Sequence, residues 1–431
     1  MSKIIVLSVD AMVYDDIEYF KSLSNFKYIY DNGSIINTIK TIYPTVTYVA
    51  HTSMSTGTYP NKHGVVSNID FIPGNLKSPW KWFSHARKCP DIFTAAKAAG
   101  LKTAAVFWPV TGNHPDIDYL VAEYWPQTPT ETNKEAFLRA GTTPELYAEC
   151  VEPFIEGLKV RTHPETDKFM IDCACQMIRS YQPDILMIHP GNVDAYRHKT
   201  GVFSSLVTRG IEETDVWIGD LIQATKDAGV FEETNFFIIS DHGQMDVVRA
   251  VKPNVIFADK GLITFNEDGK LVDWRAYCSS TGMSAHVYLK DPGDEKTRSE
   301  VYQLLLEMRD EGIYGISEVY TTEEINEAEH LSGDFSFVLE TDGYSSFSDD
   351  WKRPYVKNLD LSDYRFGKAT HGYLPDKGAQ PTFVAFGPDI KKGVIIERRP
   401  IVDEAPTYAK ILGIEMPWAD GTPIDELLNL G

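Results

Sequence analysis

The chain has 431 residues, of which 43% are hydrophobic, and its 62 Asp plus Glu outweigh 41 Lys plus Arg to give a net charge of −21. Length and apolar content suit a large α/β enzyme core with an insertion and exclude disordered or fibrous chains. The negative field argues against a nucleic-acid polymer or an anionic membrane surface as partner, but leaves small anionic substrates open where bound cations reverse the local sign.

The amino terminus, MSKIIVLSVD, enters an apolar strand at once, without the apolar core or cleavage site of a secretion signal. The run from 4 to 9 ends at Asp10, the pattern of a buried parallel strand delivering a polar residue at its carboxyl edge. A loop rich in Pro and Thr (YPTVT) then leads into a helical pattern that Thr47 can open. Residues 91 to 100 form a helix closed by Gly100, and the strand 102 to 107 stops at Trp108-Pro109. Helices are expected over 144 to 160 and 164 to 180. The strand 184 to 188 ends at HPGNVD, an amphipathic helix covers 204 to 228, and the strand 235 to 240 ends at Asp241-His242-Gly243.

From 249 to 365 this alternation breaks. A strand (285 to 289), a charged helix (295 to 312) and strands near 315 to 320 and 334 to 340 read as an inserted α+β cap subdomain over a core made of 1–248 and 366–431. The sheet resumes at 381 to 386, and 405 to 414 is a closing helix. The expected fold class is α/β, a doubly wound and mostly parallel sheet flanked by helices. Cys89, Cys150, Cys173, Cys175 and Cys278 are odd in number and scattered, so they do not form a disulfide framework. No segment reaches the roughly 18 apolar residues of a membrane span. A cytoplasmic location with reduced thiols is expected by default.

Several strand ends carry groups capable of chemistry. Asp194 and His198, at i and i+4 in DAYRH, project from one helical face and offer O and N ligands to a metal. SDHG (240 to 243) places a carboxylate beside an imidazole after an apolar strand. Thr47 at a helix start has free backbone N–H groups near it, and a metal would be needed to make its hydroxyl a nucleophile. Each also has a structural reading: Asp10 and Asp241 as caps, His371 in ATHGY as a loop histidine, and Thr45, Thr47 or Thr52 as a plain helix cap.

In order, Asp10, the Thr47 loop, Asp194-xxx-His198, Asp241-His242 and His371-Gly372 resemble the alkaline phosphatase superfamily, and most closely its nucleotide pyrophosphatase/phosphodiesterase branch. STGTYPNKHGVVSN, VFWPVTG and THGYLPDKGAQPTFVAFGP extend the likeness over nearly the whole chain. The resemblance implies two divalent metal ions, zinc foremost with manganese open. Asp194, His198 and His371 would hold one ion; Asp10, Asp241 and His242 would hold the other, with Thr47 bridging toward it. It implies attack of Thr47 on phosphorus, a covalent phosphothreonine, and release by water at the first metal. The expected substrate is a small anionic phosphodiester or pyrophosphate, and the expected state a monomer or homodimer.

Three positions depart from the family pattern. Nucleotide-cleaving members carry an Asn in a TFPNH-like segment whose amide binds a phosphate oxygen, and TYVAH puts Ala50 there. VDAYRH has Arg197 where Gly is usual, with His189 upstream where Tyr is usual. Tyr48 is the candidate to pack against the substrate, or else a staple to the core; Lys62 and His63 approach phosphate or form a surface turn. A phosphomonoester or phosphonate hydrolase, or a silent binding protein of the same fold, are the competing readings.

Overall fold

A computed structural model describes residues 2–359 and 367–430. An eight-stranded sheet forms the centre. Its strands are β1 (Lys3–Ser8), β2 (Ser34–Lys40), β3 (Thr103–Val106), β4 (Tyr119–Val121), β5 (Ile185–Ile188), β6 (Thr234–Ile239), β7 (Phe383–Phe386) and β8 (Ile395–Pro400), in the order β8-β2-β7-β6-β1-β5-β3-β4. β1 pairs in parallel with both β5 and β6, whereas β7 runs antiparallel to both β6 and β2. The sheet is therefore mostly parallel, as expected.

Why these strands are apolar throughout follows from burial on both faces. Ile4 and Val6 pack into one core with Ile185, Met187, Phe237 and Ile239, while Ile5 and Leu7 pack into the other with Leu186, Ile188, Phe236 and Ile238. Helices Thr47–Thr56, Ile92–Ala98 and Glu404–Leu412 cover the first face; Glu165–Tyr181 and Ser205–Asp227 cover the second. Parallel register brings the carboxyl ends of β1, β5 and β6 level, with Leu7 beside Ile188 and Ser8 beside Ile239. Whatever follows those strands emerges along one edge, where open α/β sheets place their sites.

A separate four-stranded antiparallel sheet, in the order Ala276–Ser280, Ser284–Leu289, Phe337–Thr341, Ile316–Thr321, packs with helix Glu295–Glu311 around Val287, Leu305, Phe337 and Leu339. Its first strand, the hairpin Ile263–Phe265/Leu271–Trp274 and the short or outlying strands β2, β4 and β8 were not among the expected elements. The expected helix over 144 to 160 is broken. Pro144–Leu146 passes into a π turn at Tyr147–Val151 and a 3-10 turn at Glu152–Gly157. Pro153 removes an N–H and crowds the preceding turn, so a continuous helix cannot run through it. Among the described residues, no helix is long and apolar enough to cross a membrane.

Candidate active site

Beyond β1 the chain turns sharply, and Asp10 N–H donates to Pro190 O (3.1 Å), tying it to the segment after β5. Beyond β6, Asp241 Oδ1 accepts from Ala11 N (3.1 Å) and from His242 N (2.9 Å), which directs Oδ2 toward the centre. His242 Nε2 lies 3.2 Å from Asp241 Oδ2 and 3.6 Å from Asp10 Oδ1. On helix Asn192–Thr200, Asp194 Oδ2 is 3.4 Å from His198 Nε2, and Asp194 Oδ1 is 3.9 Å from His371 Nε2. The residues singled out as ligands are thus brought together as Asp10/Asp241/His242 and Asp194/His198/His371, the donor atoms of each set within 4.8 Å of one another.

Thr47 is the first residue of helix Thr47–Thr56, and its Oγ1 lies 3.2 Å from His242 Nε2. The capping reading fails here. Val46 occupies the cap position without a side-chain bond, Thr45 Oγ1 donates to Tyr373 O (2.9 Å) and accepts from Gly372 N (2.9 Å), and Thr52 Oγ1 donates to Tyr48 O (2.6 Å).

Three histidines are fixed by backbone carbonyls. His198 Nδ1 faces Ala369 O (2.7 Å), His371 Nδ1 faces Thr45 O (3.0 Å), and His242 Nδ1 faces Gly243 O (3.2 Å). A carbonyl only accepts, so the hydrogen sits on Nδ1 and the Nε2 lone pair points inward. A further group, His51/His189/Asp241, is also close enough to hold an ion. His51, however, has both nitrogens engaged, Nδ1 donating to Thr47 O (2.8 Å) and Nε2 against Ser8 Oγ (2.9 Å). His189 Nε2 instead contacts Asp10 Oδ2 (3.1 Å) and orients that carboxylate.

The donor set fits divalent cations on its own terms. Asp10 Oδ1 and Asp241 Oδ2 are buried without a hydrogen-bond partner among the described residues. Burial first, then repulsion from Asp194 and Asp241, raises the Asp10 carboxyl well above the ordinary range. Burial lifts Asp241 to about 6. Burial acts the same way on Asp194, but His198, His371 and His242 outweigh it and hold that carboxyl below its usual value. Burial also pushes the His242 imidazole down to about 4 and His371 well below the usual range. Neutral imidazoles and crowded carboxylates are the groups a cation satisfies.

Beside Thr47 opens a cavity of about 210 Å³, walled by Tyr48, Trp80, Phe107, Tyr124 and Trp125 and bearing Glu123, Arg161 and His163 as charged groups. A second cavity of about 230 Å³ shares Asn68, Trp80 and His371 with it and is also bounded by Ser280, Thr281 and Asp349.

Residues 4–374 match the family model described as type I phosphodiesterase/nucleotide pyrophosphatase. The chain belongs to this family. Its relatives include ectonucleotide pyrophosphatase/phosphodiesterase 1 of Saccharomyces cerevisiae, 26% identical over 404 residues, covering 85% of this chain and 50% of that protein. They also include the mouse ectonucleotide pyrophosphatase/phosphodiesterase family member 1, 25% identical over 216 residues, 49% of this chain and 20% of that one. The chain therefore spans half or less of these curated relatives. Among solved structures, murine ectonucleotide pyrophosphatase/phosphodiesterase 5, an inactive variant in complex with AMP, superposes with a TM-score of 0.70 at 19% identity over 100% of both chains. The fold is alkaline phosphatase-like.

Set against the family pattern, the three departures lie in different places. Ala50 is fully buried in the core behind the helix and lines neither cavity, so an oxyanion donor is not missing from the pocket on its account. The backbone N–H of Tyr48 donates to Asn68 Oδ1 (2.9 Å). That bond leaves the Asn68 amide N–H groups as the donors at the junction of the two cavities. Asn68 had not been singled out; its trace in the sequence is the end of the HGVVSN segment.

Arg197 points away from the pocket. Its guanidinium is fully buried, donating to Ala11 O (3.1 Å), Val202 O and Asp16 Oδ2, and so fastens the turn after Asp10 to the helix carrying Asp194 and His198. Tyr48 packs in the core and also lines the cavity, its ring 5.2 Å from Trp80. Lys62 pairs with Asp420 (3.0 Å) on the surface, and His63 is buried against Ser53 Oγ (3.0 Å), so neither approaches the centre.

Proposed function

We propose that this protein hydrolyses phosphodiester or pyrophosphate bonds of small anionic molecules by way of a phosphothreonine on Thr47. The observation that carries the reading is the placement of Thr47 Oγ1 at a helix start, 3.2 Å from His242 Nε2 and flanked by two complete ligand sets. Asp194, His198 and His371 would hold one divalent ion and Asp10, Asp241 and His242 a second, zinc or manganese, supplying Lewis-acid charge that lowers a hydroxyl pKa and steadies developing negative oxygens.

The chain's own groups divide the remaining work. Thr47 Oγ1 attacks phosphorus in line, a P–O bond to one ester arm breaks, and the departing oxygen takes up a proton. Water then attacks the phosphothreonine, releasing the second product and restoring the hydroxyl. The Asn68 amide and the first turn of helix Thr47–Thr56 face the non-bridging oxygens, which gain charge in each transition state. His189 and Arg197 hold Asp10 and its turn in place. A cytoplasmic location is a separate part of the proposal, supported by the five unpaired cysteines.

Bis-p-nitrophenyl phosphate assayed against p-nitrophenyl phosphate, with metal content determined on the same protein, tests the reading. The diester is expected to turn over faster, and acid quenching followed by mass spectrometry is expected to recover phosphate on the peptide holding Thr47. Strong preference for the monoester moves the activity to the phosphomonoesterase alternative. Less than one equivalent of metal, with no activity after zinc or manganese addition, defeats the enzyme reading.

A further inference from the structure

Gln244 stands directly after the Asp241-His242-Gly243 turn and lines neither cavity. Its side chain is almost fully buried and reaches across to helix Asn192–Thr200. There its Nε2 donates to the backbone carbonyl of Asp194 (3.0 Å) and to Asp194 Oδ1. Both neighbours only accept, so the amide must turn its nitrogen toward Asp194. Its Oε1 is left enclosed, without a hydrogen-bond partner among the described residues. An open acceptor in the interior is destabilising, and an apolar side chain of the same length would avoid it. What the amide contributes therefore lies at its donor end, on Asp194.

Asp194 needs such a hold. It lies in the first turn of its helix, where an acidic side chain is drawn to that turn's own free N–H groups. The N–H of Gly191, at the cap position, is already taken by Asp167 Oδ1 (2.8 Å), which removes one local partner. Gln244 supplies the alternative. With Oδ1 held, Asp194 Oδ2 faces His198 Nε2 at 3.4 Å, the arrangement that closes the Asp194/His198/His371 set. The hold comes from the segment that carries Asp241 and His242, so one ligand set is shaped by the chain of the other.

We propose that Gln244 is a positioning residue for Asp194, its amide setting the carboxylate so that the Asp194/His198/His371 set can hold an ion. The inference rests on the two-ion reading of the centre, but its test does not need turnover. Zinc is titrated into metal-stripped protein against a chelator, and the same metal-free samples are unfolded in urea. The unaltered protein is expected to bind two equivalents, of which Asp194→Ala removes one. Gln244→Met keeps the length and loses the donor. It is expected to weaken that same equivalent by about ten- to hundredfold, as happens when groups that orient metal ligands are lost. The other equivalent should keep its affinity, and the unfolding midpoint should not fall. Gln244→Asn, too short to span both Asp194 oxygens, should weaken the same equivalent and carries the test if the Met variant does not fold.

Unchanged zinc binding in both variants overturns the proposal. So does equal weakening of the two equivalents, which would mark Gln244 as general structural support. Fewer than two equivalents in the unaltered protein defeats the two-ion reading and the proposal with it. Two equivalents that respond as expected, in a protein that turns over no bis-p-nitrophenyl phosphate, would defeat the phosphodiesterase reading and leave the role of Gln244 standing.

Discussion

The candidate metal cluster and the cavity beside it share Asp10, Asp194 and His371, but they are held in different ways. Each cluster ligand follows a strand of the main sheet or sits in a loop pinned to Thr45, and each histidine is fixed by a backbone carbonyl. Side chains anchored through main-chain bonds depend little on their neighbours' identity. The cavity is walled instead by Glu123, Tyr124 and Trp125 after a three-residue edge strand and by Arg161 and His163 from irregular chain. On the proposed reading the reaction chemistry belongs to the regular part of the fold, while much of the cavity wall comes from segments that tolerate change.

Removing the proposed nucleophile should break the comparison most visibly. Thr47→Ala is expected to lower turnover of bis-p-nitrophenyl phosphate by about 10³-fold or more, since covalent catalysis has no substitute hydroxyl there. Metal content should stay unchanged, as the carboxylates and imidazoles supply the ligands. Retained activity would point to direct attack by water.

Asn68 sits where the two regions meet, and Asn68→Ala should act on kcat more than on KM. Loss of one oxyanion donor costs on the order of 10²- to 10³-fold. A fall in kcat/KM carried by KM alone would make Asn68 a binding residue for the organic arm. Smaller again is the effect of Thr45→Val, which keeps the shape but removes the bonds to Gly372 N and Tyr373 O, the two residues directly after His371. Zinc affinity measured against a chelator is expected to fall by about tenfold, within the range seen when groups that orient metal ligands are lost. An unchanged affinity would mean that the contact of His371 Nδ1 with the Thr45 carbonyl holds the ring by itself.

Legibility in the sequence follows the same division. The strands ending at Asp10 and Asp241 are buried on both faces, and such runs are apolar enough to be seen at once, so the ligands after them were found with the strands. Glu123 was not found because β4 is only three residues long, and Asn68 was not found because nothing in a turn distinguishes an amide that faces a cavity from one that faces water. Arg197 shows a further limit. Its departure from the family pattern read as a change of substrate pocket, yet the side chain turns to Ala11 O and Asp16 and closes a gap in the core. Position along the chain told which residue differed; only packing told which way it pointed.

The region of the separate four-stranded sheet supplies a check on how the centre's histidines are read. His286 is fully buried with Nε2 lacking a partner among the described residues, its ring 4.2 Å from Phe335, and burial pushes its pKa down to about 3. That resembles His242, at about 4, but His286 belongs to no ligand group among the described residues. The folded chain refuses a proton at His286 that the unfolded chain accepts below about pH 6.5, so its contribution to stability is intact above that pH and is lost as pH falls toward 3. The slope is about 1.4 kcal/mol per pH unit. His286→Phe removes this dependence, and its stability relative to the unaltered protein should rise by that amount per unit between pH 6 and about 4, measured by denaturant unfolding with and without chelator. For His286 the difference should be the same in both conditions, because no cation competes for its proton. A difference that appears only with chelator present would place His286 in contact with the metal centre and blur the boundary between the two regions.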